Sequence, residues 1–390
     1  MRGATQRDRP DASPLRDEGR DRIAIFLPSL AGGGAERVLV RVVSEIVRRN
    51  CAVDLVLGEA VGVYMDDVHP DVRIVDLESR RVLTALPGLF RYLRRTRPEV
   101  LLSSLAHANV MVTLARTLAR VGTRIVLREA NMVSEMRDQR KRAVAWAMPW
   151  AYRAADHIIA VSNGVAEDVE HALGVDPQSI STIYNPTNIE EIRKRAEEGG
   201  DHPWMQSHTE GPPVVLGVGR LTEQKDYETL IRAFRRVRES QPVRLIILGE
   251  GPRREELEAL AEGVNVAEDV SLPGFVENPY AFMRRANVFV LSSAWEGMPN
   301  ALIEAFVLGT PLVSTDCPSG PREILADGKW GRLVPVGDEQ AMAQAIRATL
   351  ESNEAASEKA IQQRATGRFE LEEVATQYLD VLRGVNSPTA

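Results

Sequence analysis

The segment RIAIFLPSLAGGGAERVLVRVVSEIVRR, residues 22–49, contains an apolar strand pattern, three consecutive glycines and an amphipathic helical pattern from Ala35 to about Arg49. Further strand-like runs follow as AVDLVL, VRIVDL, EVLLSS, TRIVLR and HIIAVS, and helical stretches such as RVLTALPGLFRYLRRT separate them. Strands that alternate with helices predict a parallel sheet covered by helices on both faces. The first half of the chain is therefore predicted to be a doubly wound α/β domain.

A second unit of the same kind follows. The alternation stops at Tyr184-Asn185-Pro186 and resumes with PVVLGVG at residues 213–219, then continues through VRLIILG, VSLPGF, NVFVLSS and TPLVST. We expect five parts in chain order: a disordered leader at 1–20, a first Rossmann-like domain at 21–185, a linker at 186–212, a second Rossmann-like domain at 213–368, and a C-terminal helix at 369–384 that crosses to the first domain. Ligands of such sheets bind outside the carboxyl ends of the strands, so the cleft between the domains is the expected active site.

Size and composition fit two globular domains. A chain of 390 residues is longer than one hydrophobic core usually supports. No apolar run approaches the ~18 residues of a membrane span, and the first twenty residues lack the apolar core of a secretory signal. Cys51 and Cys317 lie far apart and indicate neither a disulfide framework nor a metal cluster. We expect a cytoplasmic protein.

The net charge of −7 is unevenly distributed. Residues 80–153 carry 15 basic and 4 acidic side chains, a local net charge of +11, which calls for an anionic partner. Trp146 and Trp150 follow the basic residues of 137–142, a combination that suits a helix lying on anionic lipid. The inner face of the cell membrane would be that surface. An ordinary core helix with a solvated basic edge is the alternative. No motif supports nucleic acid as a partner.

The segment EGMPNALIE, residues 296–304, holds the strongest chemical signal. Its proline and asparagine suit the start of a helix, and Glu304 then interrupts an apolar run that should be buried. A buried carboxylate costs several kcal/mol unless it is hydrogen-bonded, and ligand hydroxyl groups would satisfy it. Alternatively, Glu304 complements the helix dipole or caps backbone amides. Glu296 precedes the helix, beside Gly297, which allows close backbone approach, and could equally be a solvated loop carboxylate.

The two glutamates, separated by seven residues, resemble the signature of retaining family 4 glycosyltransferases, which have the GT-B fold. Five other segments match the family in the expected order: GGGAER at 32–37, GRLTEQKD at 219–226, LGEGP at 248–252, LPGF at 272–275 and TDCPSGPREIL at 315–325. The resemblance implies two Rossmann-like domains facing across a cleft. It also implies transfer of a sugar from a nucleoside-diphosphate sugar, such as a UDP- or GDP-sugar, to a glycan or lipid-linked acceptor, with retention by front-face attack. Bacterial cell-surface polysaccharide or glycoconjugate synthesis is the expected setting.

The resemblance also implies roles for matching residues. Glu304 would accept hydrogen bonds from the ribose and Glu296 would contact the donor sugar, both as acceptor-only carboxylates. Arg220 and Lys225 match the pyrophosphate-binding pair, which would stabilise the departing diphosphate together with a helix N-terminus. The sequence has no Asp-x-Asp motif, so no metal and no cofactor are expected. The donor-binding positions implied are Gly33, Gly34, Gly249, Phe275, Gly297, Met298, Pro299, Asn300 and Glu304.

The acceptor side departs from the family. Many relatives place a histidine after the strand that matches TRIVLR, where this chain reads Arg-Glu-Ala-Asn at residues 128–131. The acceptor-side candidates are therefore Glu129 and Asn131, with His107, after EVLLSS, as a substitute; a lone histidine is more often structural. Two other functions stay open: a nucleotide-sugar epimerase on the same fold, whose acidic and histidine cluster is not evident, and a donor-binding subunit without activity, which the missing histidine favours.

Overall fold

Both halves of the chain fold around parallel sheets, as the sequence predicts. The computed structural model describes residues 22–135, 142–200, 202–205, 211–352 and 367–385. The expected leader at 1–20 and the basic side chains of residues 137–142 lie outside the described residues.

Seven parallel strands form the first sheet. They are β1 Arg22–Leu27, β2 Ala52–Leu57, β3 Arg73–Asp76, β4 Val100–Ser104, β5 Arg124–Glu129, β6 His157–Ala160 and β7 Ile180–Thr182. Their order across the sheet is β3-β2-β1-β4-β5-β6-β7, with every neighbouring pair parallel. The order reverses beside β1, because the chain first moves outward to β3 and then returns to β4 on the other side. The carboxyl ends of β1 and β4 therefore flank the point where doubly wound sheets bind ligands.

Helices cover both faces of this sheet. Their bounds are α1 Gly34–Arg48, α2 Leu86–Thr96, α3 Ala106–Ala119, α4 Arg142–Arg153 and α5 Asn163–Leu173. Right-handed crossovers place α1 on one face and α2 to α5 on the other, because the chain moves in opposite directions from β1 and from β3. The buried side chains agree: those of α1 belong to one apolar cluster and those of α2 to α5 belong to another.

The second sheet has six parallel strands. They are β8 Val214–Val218, β9 Arg244–Leu248, β10 Val270–Gly274, β11 Val288–Leu291, β12 Leu312–Thr315 and β13 Arg332–Val334, in the order β10-β9-β8-β11-β12-β13. Before the C-terminal helix, the described residues after β7 form α6 Ile189–Ala196, α7 Tyr227–Arg238, α8 Arg254–Gly263, α9 Tyr280–Arg285, α10 Asn300–Val307, α11 Pro321–Ile324 and α12 Glu339–Glu351. The order reverses beside β8, so this half is doubly wound as well.

The C-terminal helix, Leu371–Arg383, packs on the first domain. Its Leu379 and Leu382 are buried in the cluster that α1 covers, and Arg124 of β5 donates a 3.0 Å hydrogen bond to the carbonyl oxygen of Leu382. The chain thus crosses between the domains twice. The two crossings touch, since the Thr187 amide donates a 2.6 Å hydrogen bond to the Phe369 carbonyl oxygen.

Candidate active site between the two domains

The N-terminus of α10 faces the N-terminus of α1 across the domain boundary. Asn300 begins α10, and a Cβ atom added to Gly34, the first residue of α1, would lie 3.0 Å from Asn300 Nδ2. Nearby, a Cβ at Gly297 would lie 2.0 Å from the carbonyl oxygen of Ala130, so this loop touches the first-domain backbone. The glycine run of the first domain and the EGMPN loop of the second therefore meet at one place. Met298 and Pro299 lie in that loop.

Glu304 is buried and is paired with a guanidinium from the other domain. Its side chain is 5% exposed, and Oε1 accepts hydrogen bonds from Arg37 of α1 and, at 3.4 Å, from the Tyr280 hydroxyl. The carboxylate of Glu304 raises the pKa of Arg37 above its ordinary value, so Arg37 stays charged. This carboxylate is therefore satisfied by side chains of both domains and not by the amides of its own helix.

Glu296 is also buried and belongs to an ion pair. Its Oε1 lies 2.5 Å from Lys225 Nζ and accepts a 2.6 Å hydrogen bond from the Ser293 hydroxyl. The interpretation of Glu296 as a solvated loop carboxylate is therefore wrong. Lys225 is in turn fixed through its backbone, because the Ser292 hydroxyl donates to its carbonyl oxygen at 2.7 Å. Arg220, the other cation of this loop, is exposed.

The glycines and Phe275 occupy distinct surroundings. Gly249 has a φ of +137°, and a Cβ there would lie 2.0 Å from the Gly219 carbonyl oxygen, so backbone packing alone requires glycine. Gly33, by contrast, has extended backbone, and the three atoms nearest to a Cβ there would belong to the flexible Glu36 side chain. Phe275 follows β10 and is 78% exposed, which overturns the alternative that it is a core residue.

The acceptor-side candidates are divided between two strand ends. Glu129, at the end of β5, is buried and its Oε1 accepts hydrogen bonds from the amides of Ala130 at 3.0 Å and Asn131 at 3.2 Å. Its other oxygen accepts the Tyr152 hydroxyl, and burial raises the pKa of Glu129 above its usual range. Asn131 is exposed, while His107 lies half-buried in the first turn of α3. The Glu129 carboxylate thus holds the loop that approaches Gly297.

A polar network that the sequence did not reveal supports α10. Arg128 of β5 is fully buried and donates to the Tyr378 hydroxyl of the C-terminal helix at 2.8 Å and to Asn185 Oδ1 at 2.6 Å. The Asn185 side-chain amide donates onward to Asn300 Oδ1 at 2.8 Å and to the Met298 carbonyl oxygen at 3.2 Å. The only sequence signal for this network is Arg128 at the end of the largely apolar run TRIVLR.

A further contact joins the domains away from α10. Glu323 of α11 accepts hydrogen bonds from the amides of Asn163 at 2.9 Å and Gly164 at 3.1 Å, at the N-terminus of α5. The Ser162 and Ser319 hydroxyl oxygens lie 2.5 Å apart beside it. A carboxylate at a helix N-terminus is stabilising, so Glu323 helps to hold the two domains together.

Within residues that the structure describes, no group of three or more histidine, cysteine, aspartate or glutamate side chains could hold a metal ion. No helix in the described part of the chain is both long enough and apolar enough to cross a bilayer.

Two family models match the chain: "Glycosyltransferase Family 4" over residues 32–191 and "Glycosyl transferases group 1" over residues 201–367. The chain is 30% identical over 346 residues to the N-acetylgalactosamine-N,N'-diacetylbacillosaminyl-diphospho-undecaprenol 4-alpha-N-acetylgalactosaminyltransferase of Campylobacter jejuni, covering 85% of this chain and 91% of that protein. It is 28% identical to the lipopolysaccharide core biosynthesis glycosyltransferase LpsE of Rhizobium meliloti, covering 90% of this chain and 96% of that protein.

The same architecture occurs in solved structures. The structure of Anabaena Alr3699/HepE in complex with UDP superposes with a TM-score of 0.77 at 20% identity, over 93% of this chain and 100% of that chain. At an identity this low, the superposition establishes only the shared fold, which is an arrangement of two doubly wound domains.

Proposed function

This chain belongs to glycosyltransferase family 4 and has the GT-B fold, and from that premise we propose a retaining, metal-independent transfer from a nucleoside-diphosphate sugar. The donor would be a UDP- or GDP-sugar, and the acceptor a glycan or a lipid-linked glycan of the bacterial cell surface. The observation that carries the proposal is that two buried glutamates, Glu296 and Glu304, flank the first turn of α10.

The nucleotide would lie along α10. Glu304 offers carboxylate oxygens to the ribose hydroxyl groups, one turn inside the helix. Asn300 and Ala301 open α10, so their amides have no acceptor within the helix, whereas the next two amides donate to the Pro299 carbonyl oxygen. Together with the amide of Met298 just before the helix, they favour a phosphate at the helix N-terminus. Lys225 and Arg220, on the loop after β8, add positive charge there. Phe275, exposed beyond β10, would border the base.

The reaction needs positive charge where the diphosphate departs. The bond between the sugar's anomeric carbon and the phosphate oxygen breaks, and a bond from the acceptor hydroxyl oxygen to the same carbon forms on the same face. The acceptor's proton passes to the departing phosphate oxygen. Lys225 and the α10 amides would stabilise the charge that develops on that diphosphate, without a metal ion. Glu296 would hold the sugar hydroxyl groups and keep Lys225 in place.

The acceptor proposal rests on the relatives and on the surface of the first domain. The Campylobacter jejuni relative is named for a diphospho-undecaprenol-linked acceptor and the Rhizobium meliloti relative for the lipopolysaccharide core. A lipid-linked acceptor requires access to a membrane surface. Trp146 and Trp150 of α4 are 87% and 44% exposed, while Met148 and Tyr152 on the same helix are buried. The helix thus packs on its sheet and still presents tryptophan outward, which supports attachment to anionic lipid through residues 80–153.

The direct test is donor turnover. The protein is incubated with a panel of UDP- and GDP-sugars, with and without a lipid-linked acceptor, and release of the nucleoside diphosphate is measured. We expect nucleoside-diphosphate release to require the acceptor and its rate to be unchanged by EDTA. We also expect an α-configured donor to give an α-configured product. Binding without turnover, or inversion of the donor sugar at C2, would contradict transfer.

The role of Glu304 has its own test. Glu304→Ala is expected to weaken nucleotide binding by a factor of about ten to a hundred, since a buried hydrogen-bonded carboxylate typically contributes about 1.5–3 kcal/mol. Unchanged nucleotide affinity in this variant would refute the ribose role.

A further inference from the structure

Arg37 is a partly buried cation of the first domain that reaches a second-domain carboxylate. It lies in the first turn of α1, within the segment GGGAER, and its side chain is 27% exposed. Its guanidinium contacts Glu304 Oε1, the carboxylate that the proposed function gives to the donor's ribose.

Two contacts set the position of Arg37 relative to the N-terminus of α10. Gly34 approaches Asn300, and Arg37 contacts Glu304. The two contacts lie about one helical turn apart, because Arg37 follows Gly34 by about one turn of α1 and Glu304 follows Asn300 by about one turn of α10. One turn advances a helix by about 5.4 Å. Arg37 therefore lies about one turn from the amides at which the donor diphosphate would bind. A long, flexible arginine side chain can cover such a distance by changing rotamer.

The present contacts leave no room on Oε1 for a ribose hydroxyl group. Each carboxylate oxygen has about two acceptor positions. Oε1 of Glu304 already accepts hydrogen bonds from Arg37 and from the Tyr280 hydroxyl. If both carboxylate oxygens receive the ribose diol, one of these donors must leave. Tyr280 is held in the core at 1% exposure, so Arg37 is the partner that can move.

A displaced Arg37 needs a new anion, because an unpaired cation at a partly buried site is costly. The donor diphosphate is the anion that arrives with the ribose, and guanidinium groups bind phosphate oxygens bidentately. Resting on the proposed function, we propose that Arg37 is a movable donor-binding residue. It holds Glu304 when the site is empty and transfers to the donor's diphosphate when the ribose takes its place.

This exchange gives the first domain a direct part in donor recognition. Arg220, Lys225 and Glu304 all belong to the second domain, whereas Arg37 belongs to the first. A nucleoside without phosphates would displace Arg37 from Glu304 and would provide no anion for the guanidinium to bind. A nucleoside diphosphate would displace it and bind it, which ties the two domains to the same ligand.

The test compares a nucleotide with its nucleoside. Dissociation constants for UDP and uridine are measured by calorimetry on wild type, Arg37→Met and the matched control Arg48→Met, which changes an exposed arginine of the same helix. GDP and guanosine replace them if wild type prefers guanine. Arg37→Met is expected to weaken UDP about tenfold or more and to leave uridine unchanged or tighter. Arg37→Lys should retain part of the UDP affinity, and Arg48→Met should match wild type.

The outcomes separate this inference from the proposed function. Equal weakening of UDP and uridine in Arg37→Met, with circular dichroism like wild type, would show a purely structural role and overturn the inference. Unchanged UDP affinity, or equal strengthening of both ligands, would overturn it as well. If wild type binds neither UDP nor GDP, the proposed function fails, and the inference fails with it.

Discussion

Lys225 Nζ and Glu296 Oε1 lie 2.5 Å apart, and this ion pair joins the loop after β8 to the loop before α10. The pair brings together the cation expected to bind the donor diphosphate and the carboxylate expected to bind the donor sugar. Both side chains are largely buried, at 16% and 7% exposure, so their interaction is poorly screened by solvent. A change to one of them therefore alters the other.

Glu296→Gln should separate catalysis from nucleotide binding. The substitution keeps the size of the side chain but removes the charge that holds Lys225. We expect kcat to fall about 100-fold or more, as when one positioned polar group of an active site is lost. UDP affinity should stay the same or rise, because Lys225 loses its competing carboxylate. Steady-state kinetics and calorimetry check the two quantities. A parallel loss of kcat and UDP affinity would contradict separate tasks for Glu296 and the diphosphate site.

Arg128→Met should weaken both the fold and donor binding. Removal of the guanidinium leaves acceptors on Asn185 and Tyr378 unpaired in the core, at a cost of about 1–3 kcal/mol each. Urea denaturation should therefore show a loss of roughly 2–4 kcal/mol, and Arg128→Lys should restore little because lysine lacks the planar fork. UDP affinity should also fall, since Asn185 no longer positions Asn300. The exposed Arg120→Met is the control, and equal stability of the two variants would refute the role of the network.

Much of the fold was accessible from the sequence. Runs such as RIAIFL and RLIIL are continuous Val, Ile and Leu because buried parallel strands have two apolar faces. The edge strands β7 (Ile180–Thr182) and β13 (Arg332–Val334) are not evident from the sequence, since three residues are too few to show a strand pattern.

The site was only partly accessible for a different physical reason. Burial of Glu304 follows from the apolar helix around it, which is local information. Its partner Arg37 lies 267 residues earlier, and their contact exists only because two domains pack in one particular way. Arg128 and Asn185 pose the same difficulty. A polar residue inside an apolar run predicts that a buried hydrogen-bonding partner exists, but the sequence does not identify that partner.

The pH dependence of stability should depend on Glu129. Burial raises the pKa of this carboxyl above 4.5, so the folded state favours its protonated form. The stabilising effect of that form is complete below the unfolded-state pKa and is lost as the pH rises through the folded-state pKa. Compared with Glu129→Gln, wild type should therefore lose stability as the pH rises from about 4.5 toward neutrality.

Denaturation of both proteins across this range checks the sign. Glutamine does not titrate, so the stability of this variant should vary less with pH. Its side-chain oxygen can still accept the amides of Ala130 and Asn131. Glu167→Gln changes an exposed carboxylate of α5 in the same domain and serves as control. A stability difference between wild type and Glu129→Gln that is constant with pH, or that grows in favour of wild type, would be inconsistent with the raised pKa.

Membrane attachment should require the exposed tryptophans of α4. Helices α2, α3 and α4 cover the same face of the first sheet, with α3 packed against both of the others. On this face α4 exposes Trp146 and Trp150, and α2 exposes Arg91, Arg94 and Arg95. Tryptophan inserts at the lipid interface while arginine attracts anionic headgroups, so the two effects should add. We expect co-sedimentation with vesicles containing anionic lipid, weakened when the ionic strength rises from about 0.05 M to about 0.5 M.

Variants of this surface distinguish its two contributions. The double change Trp146→Ser and Trp150→Ser should reduce vesicle binding at every salt concentration, because the apolar contribution does not depend on counterions. Arg91→Gln with Arg94→Gln should reduce binding chiefly at low salt, where unscreened charge matters. Val336→Ser, at an exposed apolar position of the second domain, should leave binding unchanged. Since none of these side chains belongs to the proposed donor site, UDP affinity should match wild type throughout. Equal binding of wild type and the tryptophan variant to anionic vesicles would remove α4 from the proposed membrane surface.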